Sequence, residues 1–246
     1  MTAAAMGADV IVNGLNPPMY HDWAGEIPKI TAQVLAAAKA SGATIIVPAN
    51  VYVYGAQAGP WGPQTPQIPN SRKGAARVVM EEAYRASGLP VIMLRGGDFI
   101  DDAGKSVLGI LLKGRAKGKI GVMGAPGVAR AYAYLPDFAR AAVALAEMRA
   151  DLPRFVDMPY AGLTFSMQDL RDELVLQTGR NYRFSRFPWW LMGLASPVWE
   201  LARELREMRY LSDLPHSLDP APFAALLPDF RSASLAEVVG RMQNKG

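Results

Sequence analysis

The order of apolar runs between Asp9 and Leu94 constrains the fold more than any other feature of the chain. Asp9-Val-Ile-Val-Asn13 is a short β-branched run ended by Gly14, and it reads as a buried strand. Glu26 to Ser41 sets Ile27, Ile30, Val34, Leu35 and Ala38 at helical spacing, and Gly42 ends it. Thr44-Ile-Ile-Val47 is a second strand, Ser71 to Ser87 a second helix stopped by Gly88, and Pro90-Val-Ile-Met-Leu94 a third strand. Strand and helix in strict alternation require crossover connections, and therefore a parallel sheet. The strands are apolar throughout rather than alternating, which predicts burial on both faces. The expected architecture is α/β, a doubly wound parallel sheet.

The second half is less regular. Helices are expected over Val107–Arg115, Asp137–Met148, Met167–Thr178, Pro188–Met208 and Leu235–Met242. Lys119–Met123, Arg130–Tyr134 and Arg154–Met158 read as short strands. We expect residues 1–100 to form the nucleotide-binding region, and 101–246 to form a smaller α/β substrate lobe with segments returning to the sheet. The Gly- and Pro-rich stretch Gly55–Pro69 is longer than ordinary connections, and loops of that length are usually functional or mobile.

Composition narrows the function classes. Of 246 residues, 50% are hydrophobic and 20% charged, which excludes disorder. The net charge of +4 is mild for this length. The densest basic stretches, Lys113–Lys119 and Arg203–Arg209, read as solvated faces, so no nucleic-acid partner is expected. With no cysteine, disulfides, thiol nucleophiles and Cys-based metal sites are impossible. His21 and His216 stand far apart, and no metal is expected. The start of the chain does not resemble a signal peptide. Trp189–Val198 is too short to span a bilayer, so no membrane partner is expected. The expected location is cytoplasmic, with a homodimer as one possible assembly.

Two glycine series invite phosphate-loop readings and fail them. A P-loop needs a glycine five positions before the glycine of Gly104-Lys105-Ser106, and Phe99 stands there. Gly121, Gly124 and Gly127 lie between two short strand patterns, whereas a dinucleotide fingerprint needs a long helix to receive the pyrophosphate. No Gly-x-Ser-x-Gly elbow is present.

Taken in order, five segments resemble the extended short-chain dehydrogenase/reductase family, of the NAD-dependent epimerase/dehydratase type. Val10–Asn16 is similar to its fourth strand and the turn along the cofactor. Ile45–Gly55 is similar to its fifth strand, which typically ends in Ser-Ser before Val-Tyr-Gly. Lys73 falls where the lysine of Tyr-x-x-x-Lys would lie. Val91–Gly97 and Tyr134-Leu-Pro-Asp-Phe-Ala-Arg-Ala141 resemble two later landmarks. The likeness is clear over residues 8–150 and looser beyond.

The resemblance implies a Rossmann-like fold, NAD or NADP as cofactor, and a nucleotide sugar or similar hydroxy or keto compound as small-molecule substrate. It implies Asn13, Gly14, Asn16, Gly96 and Gly97 beside the cofactor, and Asn50 and Lys73 near the nicotinamide ribose. Tyr52 and Arg130 are expected to touch substrate, and Tyr54 is a candidate for the catalytic phenol. In the family a tyrosine is the general acid/base, its pKa brought down from about 10 by the lysine.

The chain departs from that pattern at three places. Asn50 stands where Ser or Thr is usual. Pro69 occupies the tyrosine position, and no tyrosine in the chain has a lysine four residues after it. The family's opening strand, Gly-x-x-Gly-x-x-Gly and helix have no counterpart before Asp9, which reads as an N-terminal truncation that impairs cofactor binding. The expectations are therefore an epimerase- or reductase-like enzyme, a non-catalytic NAD(P)-binding or redox-sensing protein, or an inactive fragment.

Overall fold

A computed structural model describes residues 1–17 and 21–243. The chain runs through α1 (Thr2–Ala5), β1 (Val10–Val12), α2 (Trp23–Ser41), β2 (Thr44–Ala49), α3 (Arg72–Ala86) and β3 (Val91–Arg95). Then follow β4 (Asp98–Ile100), α4 (Val107–Leu111), β5 (Lys119–Val122), β6 (Arg130–Tyr134), α5 (Leu135–Glu147), β7 (Phe155–Pro159), β8 (Leu163–Phe165), α6 (Met167–Thr178) and β9 (Arg183–Arg186). The last elements are α7 (Trp189–Ala195), α8 (Glu200–Glu207), α9 (Tyr210–Asp213), α10 (Ala221–Leu226) and α11 (Leu235–Gln243).

The main sheet is fully parallel, in the order β1-β2-β3-β7. Its apolar strands are sandwiched as their composition requires. Ile45, Val47, Val91 and Met93 pack beneath α2 and α3. Ile46, Ile92 and Leu94, the intervening residues, pack on the other face with Phe138, Leu145 and Phe223. Neighbouring residues of one strand therefore serve two cores, which is why the middles of β2 and β3 are apolar without alternation. β7 comes from the second half of the chain and returns to this sheet, beside β3.

The remaining strands form two small sheets, β4-β6-β8 and β5-β9. β4, β8 and β9 were not expected from the sequence, because each has only three or four residues and too few alternations to show a period. The helix expected over Pro188–Met208 is broken. α7 stops before Pro197, which has no N–H to continue the ladder, and α8 starts at Glu200. The helix expected over Val107–Arg115 ends at Leu111 and passes into a short 3-10 turn, Arg115–Lys117. The Gly55–Pro69 loop is anchored rather than loose. Trp61 is fully buried, stacked on His216 at 4.8 Å and tilted against Tyr54 at 5.2 Å.

One polar cluster ties the carboxyl ends of the strands together. Arg95, the last residue of β3, is completely buried. It donates to both oxygens of Glu81 on α3, at 3.0 and 2.8 Å, and to both oxygens of Asp157 on β7, at 3.0 and 2.7 Å. It also donates to the Asn50 carbonyl beyond β2. Burial alone would push the guanidinium pKa down, but Glu81 and Asp157 outweigh it and hold the pKa above its ordinary value.

β1 is the opposite extreme. Among the described residues it pairs only with β2. Beside it runs an apolar groove of about 490 Å³, lined by Val12, Phe99, Leu135 and Val143 among others. Val12 on β1 and Val143 on α5 are 59% and 58% exposed, unusual for apolar residues in an α/β fold.

Two outcomes follow. Arg95→Met leaves the buried Glu81 and the partly buried Asp157 without their counter-charge and is expected to cost about 3–5 kcal/mol in urea unfolding; a loss below about 1 kcal/mol would mean the cluster is not structural. Val143→Glu should reduce binding of the apolar dye ANS without lowering the melting temperature, and unchanged dye binding would rule the groove out as its site.

Candidate functional site

Open parallel sheets bind ligands beyond the carboxyl ends of their strands, where the connecting loops diverge. A cavity of about 320 Å³ lies there. Asn16 reaches it from the segment after β1, and Trp23 from the first turn of α2. Asn50, Val51 and Tyr52 come from the turn after β2, Arg77 from the middle of α3, Gly96 and Gly97 from the link between β3 and β4, and Asp98 and Phe99 from β4 itself. Lys105, Ser106 and Val107 close it.

Local sequence explains these placements. Asn50 folds its side chain back, so that its Oδ1 accepts from the Tyr52 amide at 3.0 Å, and this turns the chain sharply after β2. Gly97 is required by a close approach: a Cβ there would lie 2.1 Å from the Ala131 carbonyl oxygen. Ser71 caps α3 by accepting from the Gly74 amide, which fixes the register of the helix over the sheet.

Five of the residues expected from the sequence meet at this cavity: Asn16, Asn50, Tyr52, Gly96 and Gly97. The others do not line it. Asn13 is buried and donates to the Tyr84 hydroxyl at 2.8 Å. Gly14 borders the apolar groove. Tyr54 is buried, donates to the Gly62 carbonyl at 3.3 Å, and burial raises its pKa far above the ordinary phenol value despite Arg95 nearby. Arg130 pairs with Asp98 at 3.4 Å and donates to the Tyr132 hydroxyl.

Lys73 is turned away from the cavity. Its side chain is 1% exposed, and Nζ donates, at 2.8 Å each, to the backbone carbonyl and the carboxylate of Glu204 on α8. Burial lowers its pKa, and the Glu204 carboxylate opposes the shift.

The cation that does line the cavity is Arg77, one helical turn further along α3. It is 5% exposed. Its guanidinium lies 4.6 Å from the centre of the Trp23 ring. One terminal nitrogen donates to Asn16 Oδ1, the other meets Met80 Sδ at 3.1 Å, and Nε has no hydrogen-bond partner. Burial pushes its pKa down, partly offset by Tyr52, Glu81 and Tyr84. The sequence carried a signal for it. Lys73, Arg77 and Glu81 recur every four residues on the buried face of α3, where apolar residues are the rule. Trp23, Asp98 and Lys105 also line the site and were not anticipated.

Among the described residues no cluster of His, Asp and Glu is arranged to hold a metal, and no helix is long and apolar enough to cross a membrane.

No family model and no curated protein matches the chain. Solved structures do. The chain superimposes on the UDP-glucuronic acid 4-epimerase of Bacillus cereus, solved with UDP-glucuronic acid and NAD, with a TM-score of 0.71 and 17% identity. The match covers 89% of this chain and 66% of that one, so the chain spans just under two thirds of the epimerase's length. MoeE5, solved with UDP-glucuronic acid and NAD, gives a TM-score of 0.74 at 13% identity, over 99% of this chain and 81% of that one. The dTDP-glucose 4,6-dehydratase of Bacillus anthracis, solved with NAD, gives 0.71 at 13% identity, over 96% and 71%. The fold of this chain is that of the extended, Rossmann-type NAD-dependent epimerases and dehydratases.

Proposed function

We propose that this protein is a non-catalytic binding protein built on the epimerase fold, taking the nicotinamide end of NAD or NADP into the cavity beyond β2 and β3. The cavity's position at the strand ends supports the binding half of this reading, as do the NAD complexes of its structural neighbours.

The fate of Lys73 carries the non-catalytic half. Phenol-based acid/base chemistry near neutral pH needs a cation beside the phenol to draw its pKa down. Here that lysine is sealed against Glu204, and Pro69 stands four residues before it. The buried phenols move the wrong way: burial raises Tyr54, Tyr84 and Tyr160, and pushes Tyr132 up to about 12.

One observation favours a second reading. Tyr52 lines the same cavity as Asn50 and Arg77, and its phenolate would be stabilised by the Arg77 charge. In that reading Tyr52 is the general acid/base of a nucleotide-sugar epimerase or dehydratase.

Calorimetric titration with NAD+ and NADP+, alongside turnover assays with UDP-glucose and UDP-glucuronic acid, separates the two. Saturable binding without turnover is expected. Turnover at about 1 s⁻¹ or faster, abolished by Tyr52→Phe, would replace the first reading with the second, and no binding would remove both.

The phenols make an independent prediction. A phenol whose folded pKa exceeds its unfolded value contributes stability that is complete below the unfolded pKa and is lost as the unfolded state ionises. Stability should therefore hold up to about pH 10 and fall as the pH rises toward the folded pKa of about 12 to which burial raises Tyr132. Absorbance at 295 nm against pH, read beside circular dichroism, checks it. A phenol ionising near neutrality in the folded protein would contradict it.

A further inference from the structure

Four cationic side chains are buried among the described residues: Lys73, Arg77, Arg95 and Arg130. Three have a carboxylate as counter-charge: Glu204 at 2.8 Å from Lys73, Glu81 and Asp157 within 2.8 Å of Arg95, and Asp98 at 3.4 Å from Arg130. Arg77 has no carboxylate in salt-bridge range. The nearest acid on its own helix, Glu81, spends one oxygen on Arg95 and shares the other between Arg95 and Gln67. Asp98, across the cavity, belongs to Arg130.

A guanidinium carries five N–H donors and cannot shed its proton in a protein. At Arg77 those donors meet one amide oxygen and one thioether sulfur, a weak acceptor, while Nε meets nothing. Burying a charge this way is costly unless something completes it. The Trp23 ring, 4.6 Å from the guanidinium carbon, restricts its position and contributes cation–π attraction. Lys105 adds a second positive charge to the same lining.

We propose that the cavity is an oxyanion site: a carboxylate or phosphate group of a small ligand completes Arg77, with Lys105 as outer cation. This shares the cavity with the reading above but does not rest on it, since neither the nicotinamide ring nor its ribose carries an anion.

The test is thermal melting of the full chain at constant ionic strength, with sodium chloride exchanged for sodium phosphate in one arm and for sodium benzoate in another. The expected result is a saturable rise in melting temperature of about 5 °C in one arm or both. The responding arm identifies the group. Arg77→Met should abolish the rise, and in sodium chloride alone it should melt at or above the wild-type temperature, because an uncompensated buried charge has been replaced by an apolar chain of similar length. No rise in either arm, or a rise that survives in Arg77→Met, overturns the proposal.

If the variant does not fold, the wild-type protein still decides. The Arg77 Nε–H resonance in a ¹⁵N–¹H spectrum should move with added anion and saturate at the same concentration as the melting shift; an unmoved resonance overturns the proposal. NAD+ titrated in parallel keeps the two readings separable. An anion response with no NAD+ response leaves the oxyanion site standing and removes dinucleotide binding. The converse, NAD+ bound with no anion response, removes the oxyanion site alone.

Discussion

Arg95 is the point on which the geometry of the strand ends depends. From the last position of β3 it grips α3 through Glu81, β7 through Asp157 and the turn after β2 through the Asn50 carbonyl. Two carboxylates against one guanidinium, with Arg95 and Glu81 out of water and Asp157 nearly so, form a cluster that is costly to break. Its effect is positional. By holding the Asn50 carbonyl it sets where the turn carrying Asn50 and Tyr52 emerges, and by holding Glu81 it sets the height of α3, and so the depth of Arg77 one turn earlier. The cavity is thus framed by a structural ion cluster that does not itself line it.

α3 divides its charged residues between two tasks. Lys73 and Glu81 are consumed by structure, the first docking α8 through Glu204 and the second completing Arg95. Arg77, between them, is buried to a similar degree yet has no carboxylate. A helix that satisfies two of its three buried charges and leaves the middle one to an amide and a sulfur is not explained by packing. Arg77 lines the cavity at the strand ends, and this distinguishes it from a defect of the closed core.

The parallel sheet was legible in the sequence because strands buried on both faces carry continuous apolar runs, and Ile45–Val47 and Val91–Leu94 are such runs. The site was legible only in part. Asn50, Tyr52, Gly96 and Gly97 follow directly on strands, so locating the strand ends located them. Lys73 and Arg77 were harder, since residues four apart on a helix share a face and no local pattern shows which points into a cavity and which meets a distant partner. That choice was made by Glu204, 131 residues away in sequence. Short strands such as β4 and β9, and the break before Pro197, likewise depend on tertiary pairing that local patterns do not record.

The central claim is that α3 offers Arg77, not Lys73, to whatever the cavity binds. A crystal structure of the protein with NAD+ tests it most directly. The account predicts the ligand against Trp23 and Arg77, with Lys73 still bonded to Glu204. A structure in which Lys73 has left Glu204 to contact the ligand, with Arg77 untouched, would contradict it.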